Sequence, residues 1–271
     1  MKSILVHIRQ DEGQRSRLEA AIAIARKFDS RLSCLQVLPC PDLFFPTHPQ
    51  TTSRVVQFLI DSANEVRVRE ADNRRHLESF LGAEGVPFEW LDYESDTTTA
   101  IAETSRFTDC AIVSLSTQAR SSSEPLPILE ELILSSSIPI LAIPPALRAF
   151  DLEGTAVVAW NGSQEAARAC RAALPLLHLS ARIVVIVVGD EALAASGERL
   201  CAYLHHHGIK AVLRHEAGED VTATLLNSVR DEDAAWMAAG AYGHAPWREA
   251  IFGGVTKALL ASDTRPVLFA R

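Results

Sequence analysis

The sequence predicts an α/β protein made of two tandem domains, each a parallel sheet with helices on both faces. Three observations lead to this prediction. Near-continuous apolar segments of strand length alternate with segments that have the apolar spacing of amphipathic helices. This pattern occurs twice in a chain of 271 residues, which is long enough for two cores. Apolar strands without strict alternation are typical of parallel sheets that helices cover on each side.

The first half opens on a predicted strand at residues 3–8 (SILVHI), and a second predicted strand covers residues 31–38 (RLSCLQVL). Between them five apolar residues share one predicted helix face: Leu18, Ala21, Ile22, Ala25 and Phe28. The second half repeats the unit, with strands at 155–160 (TAVVAW) and 182–188 (RIVVIVV). A turn at Asn161-Gly162-Ser163 and a helical segment lie between these two strands.

Each half also ends on a similar predicted strand, at residues 138–143 (IPILAI) and 265–270 (RPVLFA). Because proline has no amide donor, we expect each of these strands to lie at the edge of its own sheet. An unprotected edge favours pairing with another strand. The connection at residues 144–151 divides the chain into predicted domains 1–146 and 151–271.

The first half carries about 25 more residues than the second, mostly between Pro39 and Leu81. There a proline-rich loop leads into a long helical segment in which Val56, Leu59 and Ala63 have helical spacing. An elongated surface helix is one interpretation of this segment. A lid or a partner-binding element is the other.

Composition excludes several classes of function. The net charge of −8 argues against broad binding to nucleic acid or to anionic membranes. No segment approaches eighteen uninterrupted apolar residues, and the N-terminus lacks the features of a signal peptide, so we expect a cytoplasmic protein. The five cysteines are odd in number and contain no C-x-x-C pair, which predicts reduced, mostly buried thiols.

A glycine-rich stretch near the carboxyl end follows a predicted buried strand at 234–239. It contains Gly240, Gly243 and Gly253, and a predicted helix begins close to Gly254. The first amides of a helix are unpaired and lie at the positive end of its dipole, so a phosphate could bind the amides of residues 254–256. A tight turn followed by a helix cap explains the same residues without a ligand.

The spacing Gly240-x2-Gly243-x9-Gly253 followed closely by Thr256 resembles the nucleotide loop of the universal stress protein family. The segment Arg265-Pro266-Val267-Leu268-Phe269 resembles the last strand of that family. The resemblance implies a five-stranded sheet per domain with strand order 3-2-1-4-5, last strands that pair across a dimer, and bound ATP with Mg²⁺. Where the family has a hydroxyl residue directly after the third glycine, this chain has Gly254.

The resemblance also implies further nucleotide-binding residues. Asn161 stands where the family has an aspartate, and an amide is a poorer metal ligand than a carboxylate. From its own chemistry, Arg248 within the spacer of the glycine loop is a cation that could reach phosphate oxygens, and a solvated surface arginine is the alternative. The complete predicted site is Trp160, Asn161, Val187, Val188, Gly218, Gly240, Gly243, Arg248, Gly253, Gly254, Val255 and Thr256, with no catalytic residue and no metal ligand among them.

The first half has no glycine between residues 117 and 127, where its own nucleotide loop should lie. We therefore expect only the second half to bind ATP. One further cluster, Cys201 with His205 to His207, has spacing compatible either with zinc or with a solvent-facing helix end.

The leading hypothesis is a cytosolic, ATP-dependent sensor or regulator of the stress response. It would meet a protein partner that the sequence does not identify, and hydrolyse ATP slowly because no base is evident beside the phosphates. The chain supplies an intramolecular pseudo-dimer and leaves a homodimer open. The alternatives are an interaction protein that binds no nucleotide and an enzyme of the wider superfamily, such as an ATP pyrophosphatase.

Overall fold

The computed structural model describes residues 1–38, 53–115, 128–241, 254–261 and 264–271. The strands in this part of the chain are β1 Ser3–Ile8, β2 Arg31–Leu38, β3 Phe88–Glu94, β4 Cys110–Ser114, β5 Ile140–Ile143, β6 Thr155–Trp160, β7 Arg182–Val188, β8 Ala211–Glu216, β9 Trp236–Gly240 and β10 Val267–Ala270. The α-helices are α1 Gln14–Phe28, α2 Ser53–Glu84, α3 Thr97–Thr104, α4 Ile128–Ser135, α5 Gln164–Leu177, α6 Glu191–His206, α7 Val221–Asp231 and α8 Gly254–Ala261.

The ten strands form one continuous sheet in the order β3-β2-β1-β4-β5-β10-β9-β6-β7-β8. Each half has the predicted order 3-2-1-4-5, with parallel neighbours. The halves meet where β5 and β10 pair antiparallel, with Leu141 opposite Leu268. The last strands of the two halves, β5 and β10, therefore pair within the chain. Each is the edge strand of its own half and an interior strand of the complete sheet.

The prediction placed a proline within each last strand, and this detail is wrong. Pro139 and Pro266 lie directly before β5 and β10, because a residue without an amide hydrogen cannot donate to the ladder. Their carbonyl groups still accept hydrogen bonds from the neighbouring strands, from Ala111 at 3.1 Å and from Met237 at 3.0 Å.

Helices cover both faces of the sheet, as predicted. Successive strand residues point to opposite faces, so Ile4 and Val6 belong to one core and Leu5 to the other. The first core includes residues of α1, α2, α5 and α6, and the second includes residues of α3, α4, α7 and α8. Each core runs through both halves, which joins them into one hydrophobic structure.

The additional length of the first half lies largely in α2, which has 32 residues where its counterpart α6 has 16. The carboxyl-terminal part of α2 is anchored to the sheet: Leu77 and Leu81 are buried in the first core. Glu70 and Asn73 are buried as well and hydrogen-bonded to neighbouring elements. This part of α2 is an integral layer of the fold, which supports the interpretation of an elongated structural helix.

The connection between the halves packs against them. Phe150 and Leu152 are buried in the first core, and the Ser16 hydroxyl lies 2.6 Å from the carbonyl oxygen of Pro145 and 2.7 Å from that of Leu147. A connection fixed in this way holds the second half close to α1. The domain limits 1–146 and 151–271 stay a prediction.

Within the described residues, no helix is both long enough and apolar enough to cross a membrane. The cysteines of this part of the chain are free thiols, and Cys34, Cys110 and Cys170 are buried, as predicted. Burial raises the pKa of Cys34 and of Cys110 to about 12 and that of Cys170 to about 11. These thiols stay protonated at neutral pH and are poor nucleophiles.

Candidate functional site

The candidate site lies where the strand order of the second half reverses. The chain runs outward from β6 to β7 and β8 and then returns to β9 on the other side of β6. Ala159 and Ala239 are the last residues that β6 and β9 pair with each other, so the final residues of the two strands, Trp160 and Gly240, lie side by side at this edge. The carboxyl ends of strands at such a switch point are the usual ligand site of open α/β sheets.

Gly240 ends β9 directly against the first turn of α5. A Cβ atom at this position would lie 2.6 Å from the backbone carbonyl carbon of Glu165 and closer still to the backbone nitrogen of Ala166. The sequence predicted a close approach of the backbone at this glycine, and the neighbour is the backbone of α5 in the same half. Gly240 therefore has a packing role that is sufficient to require glycine.

Among the described residues, helices α5, α6, α7 and α8 begin at this edge of the sheet. At the start of α5, the Ser163 hydroxyl accepts a hydrogen bond from the Ala166 amide at 3.1 Å. At the start of α7, the Asp220 carboxylate accepts one from the Ala223 amide at 2.9 Å. Helix α8 begins at the exposed Gly254, which has no side chain to cap the amides that follow.

The starts of α7 and α8 are neighbours, since a Cβ atom on Gly254 would lie 3.3 Å from the Thr222 hydroxyl. Val255 is half-buried and packs on the second core, and Thr256 is buried. The Thr256 hydroxyl predicted to meet a ligand oxygen therefore lies in a buried position. The backbone amides are the groups that the start of α8 offers most directly.

The turn after β6 is held by its own side chains. The Asn161 side-chain oxygen accepts a hydrogen bond from the Ser163 amide at 3.1 Å, and Gly162 has a φ of +74°. Asn161 is exposed, and its amide NH₂ group is not needed for this turn. The Trp160 indole donates to the Ser196 hydroxyl at 2.7 Å, a partner on α6 that the sequence analysis did not identify.

At the end of β7, the apolar side chains are mostly buried and so are not exposed to the candidate site. Val187 is fully buried in the first core, and Val188 is 8% exposed and belongs to the second. The apolar side chains predicted to suit a flat base thus lie mainly inside the protein. Gly218 follows β8 and lies against α7, because a Cβ atom there would overlap the Thr224 side chain.

Three predicted site residues, Gly243, Arg248 and Gly253, lie outside the described residues. The structure therefore places nine of the twelve. It brings Trp160, Asn161 and Gly240 to the switch point and sets Gly254 at the start of α8. Their role in binding stays a prediction.

In the first half, an arginine lies at the corresponding switch point, between the ends of β1 and β4. Arg17, in the first turn of α1, is 1% exposed. Its Nε donates to the carbonyl oxygen of His7 at 2.8 Å, and its Nη2 donates to that of Arg9 at 3.0 Å. Its Nη1 donates to Asp11 at 2.9 Å and also to the Ser114 hydroxyl. One guanidinium group thus joins the ends of β1 and β4.

Arg17 also affects the pKa of His7, a residue near the end of β1 whose carbonyl oxygen accepts a hydrogen bond from the guanidinium group. Burial, followed by the positive charge of Arg17, lowers the pKa of His7 to about 3. The imidazole is therefore neutral at physiological pH. The sequence contained a signal for Arg17: it precedes Ala21 by four residues, which places a charged residue on the apolar face of a helix.

A second polar cluster, formed by Gln36 and Glu70, lies near the end of β2 in the first half. Gln36 pairs with Ile8 in the β1–β2 register, as Val187 pairs with Trp160 in the β6–β7 register. The buried Gln36 amide donates to the Glu70 carboxylate at 3.0 Å and to the Glu70 carbonyl oxygen at 3.1 Å. Helix α2 therefore binds the strand end that is apolar in the second half.

Neither a scan of family models nor a search of curated proteins finds a match to this sequence. Solved structures match it in fold. A universal stress protein from Archaeoglobus fulgidus DSM 4304 is 15% identical, with a TM-score of 0.75 over 99% of this chain and 98% of that one. A protein of unknown function from Pseudomonas aeruginosa PAO1 is 18% identical, with a TM-score of 0.65 over 99% of this chain and 92% of that one.

These likenesses establish the class of architecture along the whole chain, a pair of joined, doubly wound α/β halves. More particularly, the chain has the fold of a solved universal stress protein of similar length. At identities of this size the likeness concerns the fold.

Proposed function

We propose that this protein is a tandem member of the universal stress protein family and that its second half binds ATP at the candidate site. In this proposal, nucleotide occupancy in the cytosol changes the surface around the glycine loop and so regulates a protein partner. Two facts support it: the fold match over the full chain and the spacing from Gly240 to Thr256.

The observation that carries the proposal is the start of α8 beside the switch point. Helices α5 and α7, which begin at the same edge of the sheet, use Ser163 and Asp220 to satisfy their first amides. Residues 253 and 254 are both glycine, so neither can do the same for α8. Phosphate oxygens satisfy such amides well because they are strong acceptors and favour the positive end of the helix dipole.

The charge around the site favours the magnesium complex over free ATP. Asp220 lies two residues from Thr222, which neighbours Gly254, and Glu219 is exposed next to it. A triphosphate adds further negative charge to this region. Mg²⁺ offsets that charge, and it would be held chiefly by phosphate oxygens and water, since the nearby Asn161 amide is a weak magnesium ligand.

The same residues support binding more than turnover. Backbone amides and an asparagine amide can position a nucleotide, but neither of them activates water for attack on a phosphate. The Asp220 carboxylate is already engaged as a helix cap. We therefore propose a binding protein with, at most, slow ATP hydrolysis.

We expect Gly254→Asp to weaken Mg-ATP binding at least tenfold, because a carboxylate would stand at the start of α8 against the phosphates. The repulsion between two unit charges about 4 Å apart is roughly 1–4 kcal/mol near a protein surface. The fold should tolerate the change, since Gly254 is exposed and, among the described residues, an added Cβ meets only Thr222 at 3.3 Å. Isothermal titration calorimetry with Mg-ATP measures the effect.

The matched control is Gly254→Asn, which has almost the same shape and no charge. We expect it to keep ATP affinity within a few-fold of the original protein. Equal affinity in the aspartate and asparagine variants would place the phosphates elsewhere. No binding by the unmodified protein at tens of micromolar would favour the interaction protein that takes no nucleotide, a function that the exposed Asn161 in place of aspartate also allows.

A further inference from the structure

We infer that Arg17 is a built-in occupant of the first half: its guanidinium group fills the switch-point crevice between β1 and β4 and closes that half to ligands. The chain would then take one nucleotide instead of two, a consequence that rests on the proposed function. The occupancy of the crevice by Arg17 is independent of it.

The contacts of Arg17 are those of a bound ligand more than those of a surface side chain. Four of its N–H groups are directed at partners on separate segments, namely His7, Arg9, Asp11 and Ser114. The partners come from the end of β1, the turn after it and the end of β4. The side chain is 1% exposed, so these contacts replace water almost completely.

The position is an unusual one for a cation. Arg17 lies in the first turn of α1, whose amides and dipole favour an anion. Burial lowers the pKa of Arg17, and the Asp11 carboxylate opposes that shift. Asp11 and the two backbone carbonyl groups together stabilise the buried charge. An anionic ligand entering this crevice would meet these acceptors and a filled volume in place of free amides.

The second half differs at each corresponding place. At the offset of 152 residues that relates β1 to β6, the position of Arg17 corresponds to Ala169 of α5, which is buried. Gly240 ends β9 where Ser114 ends the corresponding strand β4. The crevice of the second half thus lacks both the guanidinium group and the hydroxyl that binds it.

We expect Arg17→Ala to lower the melting temperature by about 10 °C, because it removes the guanidinium hydrogen bonds to Asp11, to Ser114 and to two carbonyl groups from a buried position. Methylguanidinium chloride at millimolar concentration should restore part of this loss in a saturable manner, since the ion fits the vacated space. It should not raise the melting temperature of the unmodified protein. Differential scanning calorimetry measures both effects.

Arg15→Ala is the matched control, because Arg15 lies on the same helix, is exposed and pairs only with Glu19 among the described contacts. We expect a change of less than about 2 °C and no rescue by methylguanidinium. If Arg17→Ala has the same melting temperature as Arg15→Ala, or if methylguanidinium gives no saturable rescue, Arg17 is not the occupant of the crevice. If Arg17→Ala does not fold, Asp11→Asn replaces it; a melting temperature equal to that of the unmodified protein would then contradict the inference.

The number of nucleotides bound separates this inference from the proposed function. Equilibrium dialysis of the unmodified protein with radiolabelled Mg-ATP should give one per chain. Two per chain would show that the first half is open and would overturn the role of Arg17. If no nucleotide is bound, the proposed function is overturned. The rescue of Arg17→Ala by methylguanidinium would still decide whether Arg17 is the occupant.

Discussion

Gly240→Ala is expected to reduce the free energy of unfolding by about 3 kcal/mol, although it adds a single methyl group. The added Cβ would overlap the backbone of Glu165 and Ala166 in the first turn of α5. A side chain could rotate away, but a helix backbone held by the core cannot. Ala169, Cys170 and the rest of the buried face of α5 would have to shift with it. Urea unfolding followed by circular dichroism measures the change.

Gly82→Ala is the control for this substitution. Gly82 lies within α2 and is exposed, and no atom of the described part of the chain lies within 4 Å of an added Cβ. Alanine should stabilise the helix there by about 0.5–1 kcal/mol. The same methyl group is thus expected to have opposite effects at the two positions, and a similar small effect at both would show that α5 does not pack against β9 as described.

The second large effect is expected at the junction between the halves. Phe269 is fully buried in the second core and lies opposite Ile140 where β10 pairs with β5. Replacing a buried phenylalanine with alanine costs about 3–5 kcal/mol. We therefore expect Phe269→Ala to lower the urea midpoint strongly and to weaken the coupling between the two halves, visible as a broader or biphasic transition.

Phe107→Ala provides the comparison, since Phe107 is 88% exposed. A surface substitution of this kind changes stability by less than about 0.5 kcal/mol. If Phe269→Ala left both the midpoint and the width of the transition at the values of Phe107→Ala, the two last strands would not be paired in solution.

Much of the fold follows from local sequence patterns. The strands β1, β2, β6 and β7 have the bounds that their apolar runs predicted. Long apolar runs bounded by polar turns leave little choice of secondary structure or burial. The strands β5 and β10 are shorter than predicted, because the proline before each one cannot donate to the ladder.

The site is less accessible to sequence analysis, because its contacts join segments that are far apart in the chain. Gly240 attracted attention as part of a glycine pattern, yet its neighbour is the backbone of α5. Arg17 meets Ser114 across 97 residues, and no local pattern specifies that partner. The missing glycines of the first half indicated a lost site, but only the tertiary structure reveals the arginine in the crevice.

We propose that the second half of this continuous ten-stranded sheet binds ATP and that the first half does not. A crystal structure of the protein grown with excess Mg-ATP tests it most directly. We expect electron density for one nucleotide per chain, with phosphate oxygens within hydrogen-bond distance of the amides of residues 254–256. Density between β1 and β4 in the first half, or an empty second half at saturating ATP, would contradict it.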